Sequence, residues 1–169
     1  MNREFNRGST RMLLNETKAG DVMSSPAKTL EVNSPFSKVE EMFVNQHVRH
    51  LPIVDSKGVL VGIITQKDLY KLVSPRKIVE KTLSFDGSKI LDGNAYYSKE
   101  VLDAYILKYV MTKEVYTLKV NDTVGDAIHS IVSHEISSVV IVDDKKKVLG
   151  IITTFDIIKL ADKIFLENK

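Results

Sequence analysis

The chain has 169 residues, enough for one compact domain or two small ones, and its 43% hydrophobic and 27% charged residues are ordinary globular composition. Twenty-four Lys and Arg against 22 Asp and Glu leave a net charge of +2, too even for a protein that grips a polyanion along its length. The absence of cysteine excludes disulfides, thiolate metal sites and sulfur nucleophiles, and it fits a reducing, cytoplasmic compartment.

The first nineteen residues mix Arg3, Arg7 and Arg11 with Glu4 and Glu16, and their one apolar patch, Met12 to Leu14, is too short for a secretory core. A short strand is expected over 27–32, then a helix with Ser34 as N-cap and Pro35 at its first position, carrying Phe36, Val39 and Phe43 on one face. Two β-branched runs, 51–54 and 59–64, flank the polar turn 55–58 and read as a hairpin, after which Thr65 opens a second helix. Residues 75–106 form a connector. Within it, Ser74-Pro75 precedes a short helix with Ile78, Val79 and Leu83, and a loop is expected over 85–97. Ser98 then caps a helix bearing Val101, Leu102, Tyr105, Ile106 and Tyr109.

The second half repeats the first. A strand is expected over 115–120, then a helix capped by Asp122 with Val124, Ala127, Ile128, Ile131 and Val132 on one stripe. A hairpin of 139–142 and 148–152 follows, and a helix opens at Thr153. A shift of 88 positions lays residues 22–72 on 110–160 without a gap and gives 18 identities in 51 pairs. The longest apolar runs are strand-sized, far below the ~20 residues of a membrane span. The expected architecture is therefore α/β (α+β), two β-α-β-β-α units that need each other to bury their faces.

The closest match between the halves is Gly62-Ile63-Ile64-Thr65-Gln66-Lys67-Asp68 against Gly150-Ile151-Ile152-Thr153-Thr154-Phe155-Asp156. Thr-x-x-Asp at a helix start is a capping pattern, with the acid also favoured by the helix dipole. The same geometry offers amides and a hydroxyl to phosphate oxygens and a carboxylate to two vicinal ribose hydroxyls. Spacing alone leaves both readings open. His47 and His50 lack an accompanying carboxylate, so no metal site is expected, and Lys145 to Lys147 reads as a solvated hairpin tip. With no P-loop, GxGxxG, GxSxG or HExxH, an enzymatic reading finds no support, and no cofactor is expected.

The Asp-Val-Met lead-in, the His50-Leu51-Pro52-Ile53-Val54-Asp55 strand and Gly-Ile-Ile-Thr-x-x-Asp, occurring twice in order, resemble tandem CBS domains, named from cystathionine β-synthase. The resemblance covers 20–74 and 107–163, leaving the connector and a tail at 164–169. It implies pseudo-twofold units packed sheet to sheet, with two clefts that receive AMP, ADP, ATP or S-adenosylmethionine. It also implies a regulatory role, a homodimer, and an unidentified regulated partner. In the family's pattern the acid holds ribose and the hydroxyl faces phosphate, giving Asp68 with Thr65 and Asp156 with Thr153. Ile64 and Ile152, with Ala27 and Val115, are then expected to flank adenine. Arg49 and His50 are assigned to phosphate in the cleft of Thr65, and Ser137 and Ser138 to the second cleft, so the anionic ligand is expected in the first. A ligand-free scaffold and a nucleic-acid accessory protein are the rival readings.

Overall fold

Runs of β-branched residues become the central strand of each repeat. The computed structural model describes residues 14–72 and 107–167. Repeat one contains α1 (Ala19–Val22), β1 (Leu30–Glu31), α2 (Ser37–Asn45), β2 (His50–Val54), β3 (Leu60–Thr65) and α3 (Gln66–Leu72). Repeat two contains α4 (Leu107–Val110), β4 (Thr117–Leu118), α5 (Val124–Ser133), β5 (Ser138–Val142), β6 (Val148–Thr153) and α6 (Thr154–Glu167). The expected connector helices lie outside the described residues, except for Leu107–Val110. In each repeat the first strand pairs parallel with the second, and the second antiparallel with the third. Leu51 faces Ile64 and Ile53 faces Gly62, while Val139 faces Ile152 and Ile141 faces Gly150. The 88-residue offset is thus kept in the hydrogen-bonding register.

Two helix starts differ from expectation. Helix α2 begins at Ser37 with Phe36 as N-cap, because Ser34 closes a preceding turn by donating its amide to the Glu31 carbonyl at 2.9 Å, and the Pro35 carbonyl accepts the Lys38 amide at 3.1 Å. Helix α5 is capped by Thr123, because Asp122 instead accepts the Lys119 amide at 2.7 Å. Thr123 Oγ1 accepts the Asp126 amide at 3.1 Å, and Asp126 Oδ2 accepts the Thr123 amide at 2.9 Å. The reciprocal bonds from Thr123 hold the Asp126 carboxyl below its usual range. Thr123→Ala is expected to cost about 1 kcal/mol, read from urea denaturation.

Each repeat fills part of the other's core. The core of repeat one gathers Phe36, Val39, Leu51, Ile53 and Ile64 together with Leu107 and Met111, which belong to the start of repeat two. Conversely, Ala19 and Met23, from the start of repeat one, pack with Ala127, Ile141 and Ile152. Backbone pairing fixes the exchange: Ser24 bridges Ile151, and Thr112 bridges Ile63. A third cluster joins the sheets, with Val140, Val142 and Ile151 meeting Ala27, Leu60 and Ile63. Strand β5 is buried at every residue because it is covered on both faces.

The glycines at mid-strand permit the exchange. A Cβ on Gly150 would stand 2.4 Å from Met23 Sδ and 3.0 Å from the Ser24 carbonyl. On Gly62 it would stand 2.5 Å from Met111 Sδ and 2.9 Å from the Thr112 carbonyl. Only a residue without a side chain lets the crossing segment lie this close to the strand.

Candidate ligand-binding cleft

Where β6 turns into α6, Thr153 and Asp156 form a compact acid–hydroxyl pair. Asp156 Oδ2 accepts the Thr153 amide at 2.9 Å and the Thr153 hydroxyl at 2.6 Å, and Thr153 Oγ1 accepts the Asp156 amide at 3.3 Å. Repeat one has the same pair, with Asp68 Oδ2 accepting from the Thr65 amide at 2.7 Å and its hydroxyl at 2.8 Å. Capping is therefore observed at both motifs. It occupies Oδ2; the other oxygen of Asp156, Oδ1, meets the Ser24 hydroxyl at 3.3 Å and Lys159 Nζ at 3.9 Å. Since an ionised carboxylate offers roughly four acceptor positions, the cap does not exhaust Asp156. The Thr153 hydroxyl hydrogen, by contrast, is already directed at Asp156.

This pair borders a cavity of about 610 Å³, within the usual range for small-molecule sites. Repeat one supplies two of its walls: the crossing segment from Ser24 to Lys28, and the loop from His47 to His50 after α2. Repeat two supplies Ile151, the motif from Thr153 to Asp156, and Lys159. The loop is shaped by a left-handed residue, His47, at φ 52°, as is its counterpart Glu135 in repeat two. Lys28, Arg49 and Lys159 line the cavity with the two histidines, Asp156 and the apolar residues Ala27, Val48 and Ile151. Lys159 also lies over the Phe155 ring at 4.6 Å, which steadies a long cationic side chain at the rim.

His50 connects the repeats here. Its Nε2 lies 2.7 Å from Ser137 Oγ. Burial, then the Arg49 and Lys67 cations, hold its imidazole below the ordinary value, while Asp156 and Asp68 act in the opposite sense. No trio of metal-ligating side chains occurs among the described residues.

The CBS domain family model matches residues 19–75 and 107–163, two thirds of the chain. The chain belongs to the CBS domain family. The CBS domain pair of protein MJ0100, solved with 5′-methylthioadenosine and S-adenosyl-L-methionine, is 26% identical, with 87% of this chain covering 97% of that one at a TM-score of 0.66. CBSX2, solved with AMP, shares the fold at 20% identity and a TM-score of 0.67, with 88% of this chain covering 98% of it. Homoserine O-acetyltransferase of Methanosphaera stadtmanae is 29% identical over 150 residues, which are 89% of this chain and 25% of that protein. The chain thus spans about a quarter of that relative's length.

The two CBS repeats bring the expected residues together in a different grouping. Arg49, His50 and Ala27 line this cavity together with Thr153 and Asp156, while His50 also pairs with Thr65 in the sheet and the Arg49 carbonyl accepts the Gln66 amide at 3.0 Å, so the loop lies between the two motifs. The cavity that carries Asp156 is lined by the cations Lys28, Arg49 and Lys159. Ile64 and Ile152 are fully buried in the two cores; successive strand residues face opposite sides, and Ile151 is the residue of β6 that lines the cavity. Val115 packs between the sheets, Ser138 is buried beside Thr153 in the strand ladder, and Ser137 holds His50. Lys28 and Lys159 were not anticipated. Lys28 aligns with Tyr116, a loss of charge in the second copy that was an available signal, whereas Lys159 aligns with Lys71 and offered none.

Proposed function

We propose that this CBS pair is a regulatory sensor of adenine nucleotides, with the ligand bound across the two repeats in the cleft of Asp156. The observation that carries the reading is that one cavity is lined both by an acid–hydroxyl pair from repeat two and by the cations Lys28 and Arg49 from repeat one. A ribose diol donates to the Asp156 carboxylate, adenine lies among Ala27, Val48 and Ile151, and phosphate meets Arg49, Lys28 and Lys159 through charge-assisted hydrogen bonds. A ligand held this way touches both halves, so it favours one mutual arrangement over others, which is the requirement for transmitting its presence. A regulated partner and a second copy of the chain belong to this reading. On α6, Phe155, Ile158, Phe165 and Leu166 are exposed apolar side chains available for such contacts.

The test is a thermal-shift and calorimetric comparison of AMP, ADP, ATP, S-adenosylmethionine and adenosine. A ligand at about 100 times its dissociation constant stabilises the fold by about 2.7 kcal/mol. The phosphorylated compounds are expected to bind best, since a sulfonium cation would face lysine and arginine. Arg49→Ser, which installs the residue found at the equivalent position of repeat two, is expected to weaken AMP roughly 10- to 100-fold and adenosine far less, from about 1.5 to 3 kcal/mol for a hydrogen bond to a charged group. No shift with any compound supports the ligand-free scaffold instead.

A further inference from the structure

His50 stands where the repeats touch. It opens β2, paired with Thr65 at the end of β3, while its ring crosses to Ser137 of repeat two at 2.7 Å and lines the cavity. The charged groups acting on it come from both halves: Arg49 beside it, Lys67 and Asp68 on α3, and Asp156 on α6. Lys28, Lys159 and His47 border the same space. Burial and the adjacent cations disfavour the imidazolium, and a negative group entering beside Arg49 reverses that balance.

We infer that His50 is the residue by which this cleft separates phosphorylated from unphosphorylated adenosine ligands, taking up a proton as the phosphate enters. The inference rests on the reading of the cleft as an adenine-nucleotide site. Its sign follows from linkage: phosphate raises the His50 pKa, so affinity is greatest below the unliganded value and falls as pH rises through the liganded one. One linked proton sets the limit at about tenfold per pH unit. Adenosine, carrying no charge, draws no proton. Because the last proton of a phosphate monoester leaves near pH ~6, comparison with a His50→Gln variant above that value isolates the protein's contribution.

The experiment is calorimetry of the full chain with AMP and with adenosine near pH ~7, in buffers of different ionisation heat, for the wild type, His50→Gln and His47→Gln. Net proton uptake with AMP, none with adenosine, and its loss only in His50→Gln supports the assignment. Uptake that persists in His50→Gln, or disappears in His47→Gln instead, overturns it. If His50→Gln does not fold, the wild-type imidazole resonances decide: the His50 titration must move upward with AMP and stay in place with adenosine. AMP binding without proton uptake refutes this inference alone, whereas absence of AMP binding at every pH removes the nucleotide reading with it.

Discussion

Alanine at Gly150 lowers stability by about 1–3 kcal/mol, read as a fall of several degrees in the thermal midpoint, and weakens nucleotide binding as well. The added carbon would meet Met23 Sδ at 2.4 Å, which a flexible thioether can yield, and the Ser24 carbonyl at 3.0 Å, which cannot move freely. That carbonyl accepts the Ile151 amide at 3.1 Å while the Ser24 amide donates to Ile151 at 2.9 Å, so pushing it away strains both bonds. The same segment forms a wall of the cavity, so the cleft opens with it. Gly62→Ala meets Met111 and the Thr112 carbonyl and costs a similar amount, but it acts on the other crossing segment and disturbs this cleft less. Equal loss of AMP affinity in both variants would contradict the assignment of the cavity wall.

Asp156→Ala reduces AMP affinity roughly 10- to 100-fold, the consequence of removing a charged acceptor worth about 1.5 to 3 kcal/mol. Stability falls too, because the Thr153 amide and hydroxyl lose their acceptor. The chain contains its own control. Thr123 and Asp126 build the same hydrogen-bonded box at the start of α5, away from the cavity, so Asp126→Ala reports the cost of losing a cap without a ligand. Binding by calorimetry and melting temperature, measured on both variants, separate the two roles. If both lose stability and neither loses affinity, Thr153-x-x-Asp156 is a cap and nothing more.

The duplicated order of strands and helices was legible because hydrophobic period and turn residues agree in both halves at a constant offset. The face of β6 was not. Ile151 and Ile152 are both apolar because the sheet is covered on both sides, so alternation could not say which one reaches the cavity. The grouping of the cleft was also out of reach of the offset, which pairs Arg49 with Ser137 by equivalence and says nothing about proximity. Proximity comes from the crossing of residues 19–24 and 107–112, for which a glycine interrupting each β-branched run was the one local signal. The first strand of repeat one is shorter than expected for a related reason: Ala27 and Lys28 lie before it and border the cavity.

The exchanged segments also determine what kind of motion can carry a signal. Pulling the halves apart would strip Leu107 and Met111 from one interior and Ala19 and Met23 from the other, so dissociation and unfolding become one event. A single peptide-bond cleavage between Leu72 and Leu107 would still leave two fragments clasped through each other's interiors. On the proposed reading, a bound nucleotide would act by twisting one half against the other about this clasp, a torsional output rather than an opening one.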